Sequence, residues 1–195
     1  QRKVVIKQNV GVDISKDDFK VSFYHLDSTG QKFIKGSRTF KNTLAGFTSF
    51  LKWIEKKRIA ELAVRITVEA TGVYHQGIAH YLYVQGYSVC VMQSGRVKRY
   101  AQSLDQRSKT DALDSKMLSM LGLERELRLW HPPSEELQEL KMLSRERSSL
   151  LKDRTVQTNR QSAIVSGVYS DKRAAKRHQQ RLKLLNVQII SIEEE

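Results

Sequence analysis

The chain has 195 residues, 39% of them hydrophobic and 28% charged, which is enough for one core of ordinary size and too little for two. Its formal net charge is +13, from 34 Lys and Arg against 21 Asp and Glu, a surplus that favours a polyanionic partner, nucleic acid ahead of a membrane surface. No apolar run approaches the roughly 20 residues that span a bilayer, no signal-peptide core opens the chain, and the single Cys90 excludes an internal disulfide framework and fits a reducing, cytoplasmic setting.

From residue 4 to about 40, "VVIKQNVGVDI", "FKVSFYHL" and "KFIKGSRTF" are β-branched and aromatic runs separated by the turn-like "SKDD" and "DSTGQ", which predicts three sequential antiparallel strands. Leu44, Phe47, Leu51 and Ile54 then recur at helical spacing behind an Asn42/Thr43 cap signal. "LAVRITVEA" reads as a buried strand, "YHQGIAHYLYVQG" as a helix ending at Gly86 and "YSVCVMQ" as another strand holding a buried, structural Cys90. Helices are expected over about 94–104 and 109–124. The order β-β-β-α-β-α-β-α is an antiparallel meander feeding a parallel pair, with helices on the faces.

Pro132 and Pro133 break the chain, and Ser134 with Glu136 and Leu137 offers a new helix start. Leu140, Leu143 and Leu150, with Arg147 in the third place, lie on a 3,4,3 stripe, and Leu182, Leu185, Ile189 and Ile192 repeat it without a break. This is a coiled-coil-type seam. "SGVYSDK" between them can turn the chain back, making either a helical hairpin or two arms that pair with another subunit. Residues 141–195 hold 12 Lys and Arg against 6 Asp and Glu, so one face of this extension is expected to be basic. Opening on Gln1 and stopping at "SIEEE", the chain reads as a piece of something longer.

Four carboxylates stand out. Asp13 ends the first strand, where small Gly11 lets another group approach closely, and Glu69 ends the fourth, before Thr71-Gly72. The first and fourth strands are neighbours in the proposed order, so Asp13 and Glu69 should emerge side by side. Asp111 and Asp114, three apart on a helix, share a face and could lie across those ends. Four such groups repel one another unless cations lie between them. Oxygen-only ligands suit Mg²⁺ or Mn²⁺, and two such ions can promote phosphodiester cleavage. Each acid also has a plain reading, as a turn or cap residue. Asp17, Asp18 and Asp105 are expected to be solvated turn acids, and the five histidines, with no zinc spacing among them, structural or exposed. Arg96, Lys98 and Arg99 in "SGRVKRY", with Arg107, Lys109 and Thr110, are the candidate nucleic-acid contacts. Tyr74 and Tyr100 could stack on bases or pack in the core.

"GVDISKD", "VEATGVY" and "RSKTDALDSKMLSML", in that order and spacing, resemble the Piv/MooV-type DEDD transposases of bacterial insertion sequences, the "one-ten" insertion-sequence family. The resemblance covers essentially the whole chain. It implies a RuvC-like, ribonuclease-H-type α/β fold over residues 1–130, a mixed sheet with flanking helices, to which the strand order also points. It implies too that residues 131–195 are an α-helical coiled-coil connector and dimerisation region. Asp13, Glu69, Asp111 and Asp114 match the family tetrad, and Lys109 and Thr110 its "KTD" context. The resemblance further implies a DNA transposase or recombinase with Mg²⁺ (or Mn²⁺), acting on DNA under a structured guide (bridge) RNA, homo-oligomeric, cytoplasmic and nucleoid-associated. The family's C-terminal serine-bearing domain has no match here, so none of these serines is expected to be a nucleophile. Alternatives are a Holliday-junction-resolvase-like nuclease, a non-catalytic nucleic-acid scaffold, which +13 fits equally well, and a sugar-kinase or actin-like fragment, which lacks its second Gly-rich phosphate loop.

Overall fold

The computed structural model describes residues 3–103, 115–167 and 171–195, in two compact units, Gln1–Pro132 and Pro133–Glu195. The first unit opens with three antiparallel strands, β1 (Val5–Ile14), β2 (Asp18–Asp27) and β3 (Lys32–Lys41). Helix α1 (Leu44–Glu55) follows, capped by Thr43, whose hydroxyl accepts from the Gly46 amide at 3.3 Å. Then come β4 (Val64–Glu69), α2 (His75–Val84), β5 (Ser88–Met92), α3 (Ser94–Ser103) and α4 (Ser115–Glu124). The sheet order is β3-β2-β1-β4-β5, with β4 and β5 parallel to β1. This is the mixed sheet, an antiparallel meander feeding a parallel pair, that the strand order led us to expect. The start of the helix expected at 109 lies outside the described residues.

Alternation along the strands divides the sheet into two faces. Val10, Val12, Phe19, Val21 and Phe23 point into the main core, closed by Phe47, Phe50 and Ile54 of α1 and Ile78 and Leu82 of α2. Phe19 meets Phe50 edge-on with ring centroids 5.4 Å apart, a favoured aromatic arrangement. A smaller cluster of Met92, Val97, Tyr100, Leu118 and Leu121 joins β5 to α3 and α4. Cys90 is fully buried and burial raises its thiol pKa, as suits a packing residue.

Helix α4 seats on the sheet through small and polar groups. A Cβ on Gly11 would lie 1.9 Å from the Ser115 carbonyl oxygen, and one on Gly122 would lie 2.1 Å from Asn9 Nδ2. The buried hydroxyls between them are satisfied: Ser115 bonds Ser22 at 2.8 Å, and Ser119 donates to the Asn9 carbonyl at 2.7 Å. At its far end Glu124 accepts from the Tyr100 hydroxyl at 2.7 Å and pairs with Lys32 of β3.

His25, on β2, is the buried group with an acid signature. It is 2% exposed, packs edge-on against Phe23 and Phe33, and its Nε2 has no hydrogen-bond partner among the described residues. Desolvation, with a smaller push from the Lys35 charge, lowers its pKa to about 4. The unfolded chain therefore takes up this proton first, and the stability that neutral His25 contributes is lost as pH falls from about 6.5 towards about 4. From about pH 7 to about pH 5 the wild type should lose roughly 2 kcal/mol more than His25→Phe. Thermal melts of both proteins check this; parallel pH dependences would contradict it.

In the second unit, Ser134 caps α5 (Glu135–Ser166), its hydroxyl accepting from the Leu137 amide, and Asp171 caps α6 (Lys172–Glu194). Arg147 meets Glu193 at 2.6 Å and Gln157 meets His178 at 2.8 Å. Rising numbers in α5 thus face falling numbers in α6, and the two helices run antiparallel along each other. Leu182, Leu185, Ile189 and Ile192 are the covered positions of α6, as the stripe predicts. Leu140 departs from it: it is 62% exposed at the rim of a groove with Leu143, Arg147 and Ile192, uncovered by the last turn of α6. Part of the "SGVYSDK" turn, residues 168–170, lies outside the described residues. Among the described residues no helix is long and apolar enough to cross a membrane.

Candidate catalytic edge of the sheet

Asp13 and Glu69 stand together. Val12 pairs with Val68 in the parallel ladder, so the next residues, Asp13 and Glu69, occupy neighbouring strands at about the 4.8 Å sheet spacing. Both point to the α4 face. Gly11, two residues before Asp13, abuts the α4 backbone, and Thr67, two before Glu69, lies against Gly122. Asp13 is half-buried and Glu69 is 7% exposed. The pair therefore sits at the carboxyl ends of parallel strands, where ligands bind in sheets of this kind.

The surrounding loops are tied down. The Ala70 amide donates to the Met92 carbonyl at 2.8 Å, extending the β4–β5 ladder one residue past Glu69. Gly72 then turns the chain with φ +52°, a left-handed conformation that glycine adopts at low cost. Asn42 Nδ2 donates to the carbonyls of Ser15 at 3.0 Å and Tyr74 at 3.3 Å, joining the turn after β1 to the start of α2. Asn42 was legible in the sequence only as a cap. Asp17 is the exposed turn acid expected between β1 and β2, whereas Asp18 opens β2 half-buried, its carboxylate accepting from Ser15 Oγ at 3.0 Å.

A further residue emerges from strand register alone. Lys20 of β2 lies directly opposite Asp13, and directly opposed residues of an antiparallel pair share a face. Its side chain is exposed. The row at this edge therefore runs Lys20, Asp13, Glu69, Met92 across four strands. No sequence motif marks Lys20, and only knowledge of the β1–β2 pairing could have found it.

Helix α3 leaves the same edge from β5. Val97 and Tyr100 are buried, while Arg96, Lys98 and Arg99 are exposed, a basic face over an apolar one. Tyr100 is the half of the tyrosine reading that packing decides: it is 7% exposed, burial raises its pKa, and its hydroxyl is engaged by Glu124. Tyr74 is 41% exposed at the edge. Arg107, Lys109, Thr110, Asp111 and Asp114 lie outside the described residues. Among the described residues no three His, Cys, Asp or Glu side chains gather as a metal site.

Comparison with known proteins places this arrangement in a family. A family profile described as a transposase, the DEDD type of the IS110 group, matches residues 10–170. The chain belongs to the IS110-type DEDD transposases. Two relatives of this transposase chain are the pilin gene-inverting proteins of Moraxella lacunata and Moraxella bovis, each 30% identical over 155 residues. The match covers 77% of the transposase chain and 46% of each relative, so the chain spans about half the length of the curated relatives it matches. Among solved structures it is similar to RuvC of Thermus thermophilus, with a TM-score of 0.46 and 9% identity over 63% of the transposase chain and 99% of that one. It is also similar to the fowlpox virus Holliday junction resolvase, with a TM-score of 0.37 and 19% identity over 60% and 95% of the respective chains.

Proposed function

We propose that this chain carries the divalent-metal-dependent DNA-cleaving centre of an RNA-guided insertion-sequence recombinase, with Asp13, Glu69, Asp111 and Asp114 as the metal-holding carboxylates. The observation that carries the reading is the pairing of Asp13 with Glu69 on the α4 face. Two acids at one strand spacing repel unless a cation joins them, and their all-oxygen chemistry fits Mg²⁺ or Mn²⁺. Ser115, covalently next to Asp114, begins α4 against Gly11, only two residues from Asp13.

A divalent cation bound there would supply activation of a nucleophile and stabilisation of charge on the leaving oxygen of a phosphodiester. The chain's own side chains do the rest. Asp13 and Glu69 hold and orient the cation, Lys20 stands beside them to neutralise a phosphate, and Arg96, Lys98 and Arg99 bind the strand as it leaves the edge, joined by Arg107, Lys109 and Thr110. A basic α5–α6 pair is a surface for the guide RNA, and Leu184, Val187 and Ile190, the apolar residues of α6 left exposed outside its seam, are a surface for assembly of a homo-oligomer. Guidance by RNA rests on the family and on the +13 charge. Mn²⁺ titration of the wild type against Asp13→Asn/Asp111→Asn tests the reading, and binding should be lost in the double variant.

A further inference from the structure

The outer edge of the sheet carries a cleft that the cleavage centre does not use. The segment after α4 runs along β5: the Trp130 amide donates to the Val89 carbonyl at 2.7 Å, and the Cys90 thiol donates to the Leu127 carbonyl at 3.9 Å. Between this segment and the start of α3 opens a cleft of about 510 Å³, with Met92, Gln93, Arg96, Arg128, Trp130 and His131 among its walls. Tyr83 holds the far wall by edge-on contacts to Trp130 and His131, with centroids 6.0 Å and 5.8 Å away.

Arg96 and Arg128 both line this space, and among the described residues neither enters an ion pair. Both are exposed. Two arginines in a lining that holds no Asp or Glu suit the planar, bidentate recognition of a phosphate. The volume is that of a small-ligand site, too small for a duplex to enter. Its position narrows the choice further, because Met92 is the ladder partner of Glu69 and the cleft therefore begins one strand spacing from the carboxylate pair. An acidic peptide would satisfy the charge but has no reason to meet this edge.

We propose that this cleft is a subsite for one unpaired nucleotide of the polynucleotide that passes the Asp13/Glu69 edge, its phosphate held between Arg96 and Arg128 and its base against the Trp130/His131 wall. The inference rests on reading that edge as a phosphodiester-cleaving centre, and it deepens that reading: the strand reaches the carboxylates locally single-stranded. Stacking on an aromatic wall is tolerant of sequence, so the subsite would fix the strand's path and leave sequence choice elsewhere.

The test uses fluorescence anisotropy of the whole chain with a short single-stranded DNA, the RNA of the same sequence, and the DNA duplex, all in EDTA across a salt series. Arg128→Gln should weaken single-strand binding by roughly tenfold and lower its salt slope by about 0.7, with duplex affinity little changed. Lys56→Gln, an exposed charge at the end of α1, should behave as wild type. A larger effect on the DNA or on the RNA names the strand that occupies the cleft, and either supports the subsite. Absence of single-strand binding by the wild type, equal effects of the two variants, or equal loss for single strand and duplex would overturn it. Because EDTA removes metal, Mn²⁺ binding that is absent from the wild type or undiminished in Asp13→Asn/Asp111→Asn, with this discrimination intact, would sink the cleavage centre alone, and the reverse pattern would sink the subsite alone.

Discussion

Asp13→Asn should lower metal-dependent DNA strand cleavage by on the order of a thousandfold or more. DNA binding should persist. The substitution keeps the shape of the side chain and removes one charge from a pair set at strand spacing, so it weakens the hold on a hard cation without disturbing the core on the opposite face of β1. Asp17→Asn is the matched control. That residue is an exposed acid in the turn immediately after β1, and its loss should leave cleavage unchanged. Asp13→Asn with wild-type cleavage would remove Asp13 from the centre. Equal losses in the two variants would point instead to general electrostatics at this edge.

The second large effect is on stability. Gly11→Ala should destabilise the first unit by about 3 kcal/mol or more, a fall of roughly 10 °C in Tm. The added Cβ would meet the Ser115 carbonyl oxygen at 1.9 Å, the Ser119 amide nitrogen at 2.4 Å and Leu118 Cβ at 2.9 Å. Two of these are backbone atoms of α4, which cannot give way by a rotamer change, so the helix itself must lift from the sheet. Lifting α4 would break the Ser22–Ser115 and Asn9–Ser119 hydrogen bonds beneath it. Gly95→Ala is the control, since a Cβ there meets nothing within 4 Å and alanine is the better helix former. Calorimetric melts of both variants decide the matter, and a Gly11→Ala protein as stable as Gly95→Ala would show that α4 is not seated as described.

These two effects also show where the sequence was legible. The β-β-β-α-β-α-β-α order was readable because β-branched runs, turn residues and a capped helical repeat all agreed locally. Gly11 was readable as a point of close approach, but not what approaches: Ser115, Ser119 and Gly122 form the contacting face of α4, and nothing local in "SKMLSMLGL" separates a small, polar seat from an ordinary exposed face. The adjacency of Asp13 and Glu69 followed from strand order. Lys20 did not, because its place beside Asp13 depends on the register of one hairpin, in which a shift of one residue would turn it to the other face. Tyr100 and Leu140 were undecided or misplaced for a related reason, as burial at the edge of a cluster depends on the neighbour's last turn rather than on period. Arg147, an interruption of the apolar stripe, is accommodated by Glu193 across the helix pair, a partner 46 residues away.

The most direct test of the central claim is an isothermal titration of Mn²⁺ into this chain and into Asp13→Asn/Asp111→Asn, each with and without nucleic acid. The carboxylate centre predicts saturable binding by the wild type that disappears in the double variant. Equal binding by the two proteins, or none by either under both conditions, would contradict a metal centre in this chain and leave its basic surface as a nucleic-acid scaffold.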